Sequence, residues 1–293
     1  MEKRAFGRSG LTVSALGFGA GHIGGAELSD ADVDSLLGGA LDLGITLFDT
    51  APSYGAGEAR LQRFLSANRH RVQISTKGGY GVPGVPDWTY ETIVQGLDLA
   101  LGRLGVDTVD VFHLHSCPLD VLQRGEVIAA LERCRAAGKL RVAAYSGEND
   151  ALAFAIAQPV FGSVQCSINL ADQRSLRVHV PDAVARGMGV IAKRPIANAA
   201  WRHPERPRGD YGEVYWERLR TMDLASGSSG FFDMALRFSA FAPGVSSAIL
   251  GTRSLTHLAE AARIVARGPL DPQDSAHIGQ AFEAHGANWH GEI

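Results

Sequence analysis

Residues 45–77 read ITLFDTAPSYGAGEARLQRFLSANRHRVQISTK, a strand–helix–strand unit. ITLFD is short and apolar, Gly57 to Ala67 has helical spacing, and VQISTK is a second short apolar run. Strands joined through a helix run parallel, and strands apolar on both faces suit a sheet covered on both sides. The polar residues sit at the strand ends: Asp49 closes the first run, Lys77 the second, and Tyr54 follows Asp49 by five residues.

The same rhythm continues in both directions. A hairpin is expected over Arg4 to Val13, turning at Arg8-Ser9-Gly10, with VSALGFGA as the first strand behind it. Ser29 caps a helix whose apolar positions are Val33, Leu36, Leu37 and Leu41, and Gly44 stops it. Beyond VQISTK, a helix is predicted from Thr89 to Leu104, with Leu97, Leu101 and Leu104 on its inner face. TVDVFHLH precedes a helix over Leu119 to Ala137, and LRVAAYS one over Asn149 to Ala157. GSVQCSI leads to a helix near Val178 to Arg186, and GVIAKR to an irregular stretch. A helix over Phe231 to Phe241 precedes SSAILGT, and a last helix starts near Ser254. Eight strand candidates alternating with eight helices point to a (β/α)8 barrel with an N-terminal β-hairpin. An open doubly wound sheet is the alternative. Pro195 to Ser229 breaks the rhythm; a long connection after the seventh strand is expected to be a lid or binding loop over the active face, or a surface insertion.

Composition narrows the classes. With 293 residues, 45% of them hydrophobic, and a net charge of -3, this is an ordinary globular chain with no call for nucleic acid or an acidic membrane. Cys117, Cys134 and Cys166 are widely spaced, which argues against a disulfide framework or a zinc site. The charged start MEKRAFGRSG lacks a secretory apolar region, and no apolar run reaches membrane-span length. The expectation is a cytoplasmic protein, monomeric or weakly associated, holding no metal.

In a (β/α) barrel the strand ends converge on the face where active sites form. Asp49, Tyr54, Lys77 and His115 all fall there. Hydride arriving at a carbonyl carbon leaves negative charge on oxygen and calls for a positioned proton donor. A phenol beside a cation can serve, because the cation stabilises the phenolate. Lys77 is the candidate cation, and Asp49 its buried counter-charge. His113 and His115 share one strand face by period-two alternation; His115, nearer the end, is taken to face the substrate and His113 to support from below.

FDTAPSYG, STKGG, the run ending HLH, and AILGTRS, in this order, resemble the aldo-keto reductase superfamily. The likeness runs from FGRSGLTVSALGFG to the last helix, so residues 1–293 are read as one aldo-keto reductase-like barrel domain. It implies NAD(P)H-dependent reduction of an aldehyde or ketone, with the catalytic tetrad falling on Asp49, Tyr54, Lys77 and His115. It also implies that Ser146 and Gln165 hydrogen-bond the carboxamide, and that Gly19, Ala20, Lys193, Arg194 and Pro195 border the cofactor. Phosphates would lie at Gly251, Thr252 and Arg253, with His257 and Glu260 beside them. Independently, Gly251 to Ser254 precede a helix, where free backbone amides favour anions. The glycine-rich LGFGAGHIGG lacks the spacing of a Rossmann fingerprint.

Arg253 favours a 2′-phosphate, hence NADPH, with NADH possible. The chain departs from its relatives in carrying Ser146-Gly147 in place of Ser-Asn, glycine at 251 in place of lysine, and Lys193 where an aromatic usually stacks on the nicotinamide. Either Lys193 lies along the ring, or it turns away and an aromatic near Trp201 covers the cofactor. Tyr80 and Trp88 are candidate walls for an apolar or aryl carbonyl substrate, while Lys193 and Arg194 could meet an anionic one. Two rival functions stay open: a lyase or aldolase forming a Schiff base on Lys77 or Lys193, and a slow NADPH-binding regulatory barrel.

Overall fold

The computed structural model describes residues 1–224 and 230–293. Its strands are β1 (Lys3–Ala5), β2 (Thr12–Ser14), β3 (Leu16–Gly19), β4 (Leu47–Asp49), β5 (Gln73–Gly78), β6 (Val109–His115), β7 (Leu140–Ser146), β8 (Ser163–Ser167), β9 (Gly189–Lys193) and β10 (Ser247–Leu250). The helices are α1 (Asp30–Asp42), α2 (Gly57–Asn68), α3 (Tyr90–Leu104), α4 (Leu119–Arg124), α5 (Glu126–Ala136) and α6 (Asn149–Ala157). Then come α7 (Arg174–Val178), α8 (Val180–Ala185), α9 (Glu213–Met222), α10 (Gly230–Ala240), α11 (Leu255–Ala266) and α12 (Pro272–Gly286). Strands β3 to β10 close into an eight-stranded parallel barrel, β10 pairing with both β3 and β9. The open-sheet alternative is thereby excluded.

The hairpin β1–β2 lies outside the barrel sheet. Its Phe6, Leu11 and Val13 pack with Leu47, Val111, Val142 and Ile191 from inside the barrel, so it plugs one end and leaves the other for chemistry. The expected first strand was too long: Val13 pairs with Arg4 in the hairpin, and only Leu16–Gly19 enters the barrel. Between strands and helices runs a second, larger apolar layer, to which Phe48, Ile74, Phe112, Leu97 and Leu131 belong.

Helix ends follow the side-chain signals. Ser29 caps α1 in a reciprocal capping box with Asp32, and Thr89 caps α3. Two expected helices differ, and one helix is additional. The helix predicted over Leu119 to Ala137 breaks at Gly125, whose φ of 83° leaves the helical region, giving α4 and α5. The helix near Val178 to Arg186 is the pair α7 and α8, parted at His179. A further helix, α12, follows α11. Residues 195–224 are not bare loop: they form a 3-10 turn over Ala197–Arg202 and then α9. The remainder of the Pro195 to Ser229 expectation, residues 225–229, lies outside the described residues.

Candidate active site

Parallel pairing sets the depth of each functional side chain. Asp49 is in register with Ser75 on β5, and Lys77 with His113 on β6. Inward-facing Ser75, Lys77 and His113 therefore rise in adjacent layers beneath the open end. Asp49 is buried and accepts from Lys77 Nζ at 2.5 Å, Ser75 Oγ at 2.7 Å and Gln165 Nε2 at 3.1 Å. Lys77 also donates to the Thr50 carbonyl at 2.8 Å. Burial works against both charges, yet their mutual attraction wins: Asp49 is held below its ordinary range and Lys77 above its own.

Tyr54 sits on the turn between β4 and α2, its amide donating to Ala51 O and its carbonyl accepting from Gly57 N. A Cβ at Gly24 would come within 1.6 Å of the Tyr54 carbonyl, so the glycine-rich stretch after β3 is there to let this turn in close. Lys77 Nζ lies 5.1 Å from the Tyr54 ring centroid. The His115 ring meets Tyr54 edge-on at 6.3 Å and 90°.

The two histidines of β6 differ by depth along the strand. His113 is fully buried and its Nε2 lies 3.0 Å from Ser75 Oγ. His115 lines the cavity. Burial, chiefly, pushes both imidazoles down to about 3, so both are neutral near pH 7.

Above these groups opens a cavity of about 1000 Å³. Asp49, Tyr54, Lys77 and His115 line it together with Gly19, Ser146 and Gln165. Lys193, Arg194 and Pro195 form another side, and Gly251, Thr252, His257 and Glu260 extend it toward the start of α11. Arg253 lines a shallower depression of about 370 Å³ that shares His22, Gly251, Thr252 and His257 with the main cavity. Ser254 caps α11, accepting from His257 N.

Three expected lining residues are elsewhere. Ala20 is fully buried and does not line the cavity, because it opens the 3-10 turn that packs beside α2. Tyr80 and Trp88 are also absent from the lining, because Trp88 packs over Gly79 and Tyr80 turns its hydroxyl to His115. The walls come instead from the segment after β9, through Ile196, Asn198, Trp201 and Tyr211, and from Ile293. Sequence spacing could mark that segment as long but not which of its aromatics turn inward. Ser75, with its hydroxyl between Asp49 and His113, was also missed; its only signal was its place two residues before Lys77.

Lys193 does not lie free in the cavity. Its ammonium stands 3.3 Å from Glu148, a fully buried carboxylate that also accepts Ser167 N at 2.6 Å and Ser175 Oγ at 2.7 Å. Burial lowers the Lys193 ammonium below its ordinary range despite that partner. Arg194 lies over the Tyr211 ring at 4.5 Å and donates to the Glu292 carbonyl at 2.6 Å. Trp201 stacks on Phe231 at 5.5 Å and 18°.

Among the described residues no group of three or more His, Cys, Asp or Glu is placed to hold a metal ion, and no helix is long and apolar enough to cross a membrane. The cysteines are all buried and unpaired.

Comparison with known proteins agrees with the geometry. The chain is 32% identical over 243 residues to pyridoxal 4-dehydrogenase of Microbacterium luteolum, covering 65% of this chain and 69% of that one. It is 28% identical over 283 residues to L-galactose dehydrogenase of Arabidopsis thaliana, covering 89% and 86%. An aldo-keto reductase of Bacillus halodurans, solved in its holo form, superposes with a TM-score of 0.84 over 96% of each chain at 24% identity, a likeness of fold. The model of the Aldo/keto reductase family matches residues 15–283. A closed parallel barrel with a plugging hairpin, a buried Asp–Lys pair beneath a tyrosine, and this match place the chain in the aldo/keto reductase family, and its dehydrogenase relatives mark it as an oxidoreductase of carbonyl or alcohol groups.

Proposed function

We propose that this chain, acting as one barrel domain, reduces an aldehyde or ketone to an alcohol, with NADPH as hydride source and Tyr54 as proton donor. The observation that carries the reading is the buried Lys77 ammonium, fixed by Asp49 and Thr50 and 5.1 Å from the Tyr54 ring, on the floor of a cavity that His115 also lines. When bound, a reduced nicotinamide nucleotide supplies two electrons and hydrogen as hydride to the carbonyl carbon. Tyr54 Oη passes its proton to the carbonyl oxygen as charge develops there. Lys77 stabilises the charge left on the phenolic oxygen, and Asp49 keeps Lys77 ionised in its dry site. His115, neutral, donates a hydrogen bond to the same substrate oxygen and orients it.

The cavity fits a dinucleotide in size and in donor chemistry. It runs unbroken from Ser146 and Gln165, suited to a carboxamide, to Gly251 and Thr252 beside the start of α11, suited to phosphate. At Gly251 a Cβ would meet the His22 ring at 2.7 Å, so the absent side chain keeps this part of the groove open. Arg253 is the group for a 2′-phosphate, which favours NADPH over NADH. With Lys193 turned to Glu148, Trp201, Tyr211 and Phe232 are the aromatics besides Tyr54 that line the cavity and could cover the nicotinamide.

A second reading, a Schiff-base lyase, draws on Lys193, a cavity lysine whose charge burial disfavours. It leaves Tyr54 and the Asp49–Lys77 pair without a task. NADPH oxidation measured across aryl aldehydes, ketones, sugars and quinones tests the reductase directly. Turnover with at least one class is expected; none with any class, together with borohydride trapping of a carbonyl on lysine, would favour the lyase.

A further inference from the structure

The geometry points to Tyr80 as a positioning residue: its hydroxyl donates to His115 Nδ1, fixing the imidazole with its remaining proton on Nε2, aimed into the cavity. Tyr80 Oη lies 2.8 Å from His115 Nδ1, while its other neighbour, Ser53 Oγ, is 3.5 Å away. The two rings lie nearly parallel, with centroids 5.6 Å apart at 25°. A phenol hydroxyl is a better donor than a neutral imidazole N–H, and an imidazole nitrogen a better acceptor than a phenol oxygen. Both preferences send the proton the same way. His115 Nε2 then makes no hydrogen bond within the described residues and belongs to a ring that lines the cavity. The opposite tautomer would turn a lone pair toward a substrate oxygen and repel it.

The local backbone is built to hold Tyr80 in this pose. Trp88 takes a left-handed φ of 62°, a conformation disfavoured for a bulky residue. Its amide donates to the Gly79 carbonyl at 2.7 Å, and its ring occupies the space a Cβ at Gly79 would need, 2.0 Å away. From there the indole meets the Tyr80 ring at 5.7 Å and 63°. Trp88, Tyr80 and His115 thus form a continuous series of ring contacts from the β5–α3 loop to the end of β6. This assigns the STKGGY run a purpose its lysine does not exhaust: Gly79 admits the tryptophan, and the tyrosine sets the tautomer.

The inference rests on the reductase reading for its catalytic meaning, but its direct readout needs no turnover. Long-range 1H–15N correlation spectra of the full-length protein carrying 15N-histidine report which imidazole nitrogen bears the proton, with His115 assigned through His115→Asn. In the wild type His115 should be protonated on Nε2, with Nδ1 shifted as a hydrogen-bond acceptor. Tyr80→Phe keeps the ring stack, and should move the Nδ1 resonance toward its unbonded position and lower kcat about tenfold with KM unchanged. That loss is smaller than the ~10²–10³ for deleting an oxyanion donor outright. A proton on Nδ1 in the wild type, or His115 resonances unmoved by Tyr80→Phe, would overturn the assignment. An Nε2–H imidazole in a protein that reduces no carbonyl would instead remove the reductase reading and leave the tautomer assignment standing.

Discussion

Lys77 is buried and Lys193 half-buried, each beside a buried carboxylate, and their surroundings shift them in opposite senses. Burial disfavours charge on each. Lys77 has Asp49 at 2.5 Å and a backbone carbonyl at 2.8 Å, enough to reverse the burial effect. Among the described residues Lys193 pairs with Glu148 alone, at 3.3 Å, already engaged by Ser167 and Ser175, and has a like charge next door in Arg194. The first arrangement suits a permanent cation under a proton donor; the second is a pair whose members protect each other. Removing one member of a buried pair leaves an uncompensated charge, at about 3–5 kcal/mol. Lys193→Met should therefore lower the urea unfolding free energy by roughly 3 kcal/mol, and adding Glu148→Gln should recover most of it. Two additive losses would show that the pair is not coupled. The sequence placed Lys193 at the cavity and marked its departure from an aromatic, but Glu148 gave no signal, since its contacts with Ser167 and Ser175 span 19 and 27 residues.

Strand β6 shows how one element can serve stability and chemistry at once. His113 and His115 alternate with Phe112 and Leu114, which pack outward into the layer beneath the helices. Both imidazoles are pushed down to about 3, against about 6.5 for the unfolded chain. The unfolded state then binds more protons between those values, so stability is fully present above pH 6.5 and falls as pH drops toward 3. Unfolding free energies measured from pH 7 to pH 4 should decline by a few kcal/mol, and His113→Gln should make the decline shallower. An unchanged slope would mean His113 accepts a proton without penalty. At this scale the sequence was read best where a side chain ends an element: Ser29 was legible as a cap and Gly44 as a stop. It was read poorly where one residue interrupts a continuing pattern. Gly125 sits inside helical spacing that persists on both sides, so nothing local distinguishes a break from a tolerated glycine. Helix α12 escaped because only Ile278, Phe282 and Gly286 along it are buried, too sparse a stripe to read.

For the whole molecule, barrel closure is what makes the site. Asp49, Lys77 and His115 belong to three neighbouring strands, and Ser146 and Gln165 to the next two, so closing the sheet brings their ends around one cavity. That convergence was legible because strand ends are fixed by the apolar pattern, and parallel strands share one open end. The walls contributed by residues 195–211 were not, because irregular backbone with positive φ at Arg194, Ala197, Asn198 and Ala199 follows no periodicity. The far end of the groove makes its own prediction: Arg253→Met should weaken NADPH about tenfold, the size of one ionic contact, with little effect on NADH. Equal loss for both would place Arg253 away from the 2′-phosphate. The central claim is that Tyr54, backed by Lys77, is the proton donor. Tyr54→Phe, assayed for kcat with its best carbonyl substrate and for NADPH affinity by fluorescence titration, tests it most directly. The account predicts a kcat lower by ~10²–10⁴ with NADPH affinity nearly unchanged; an undiminished kcat would contradict it.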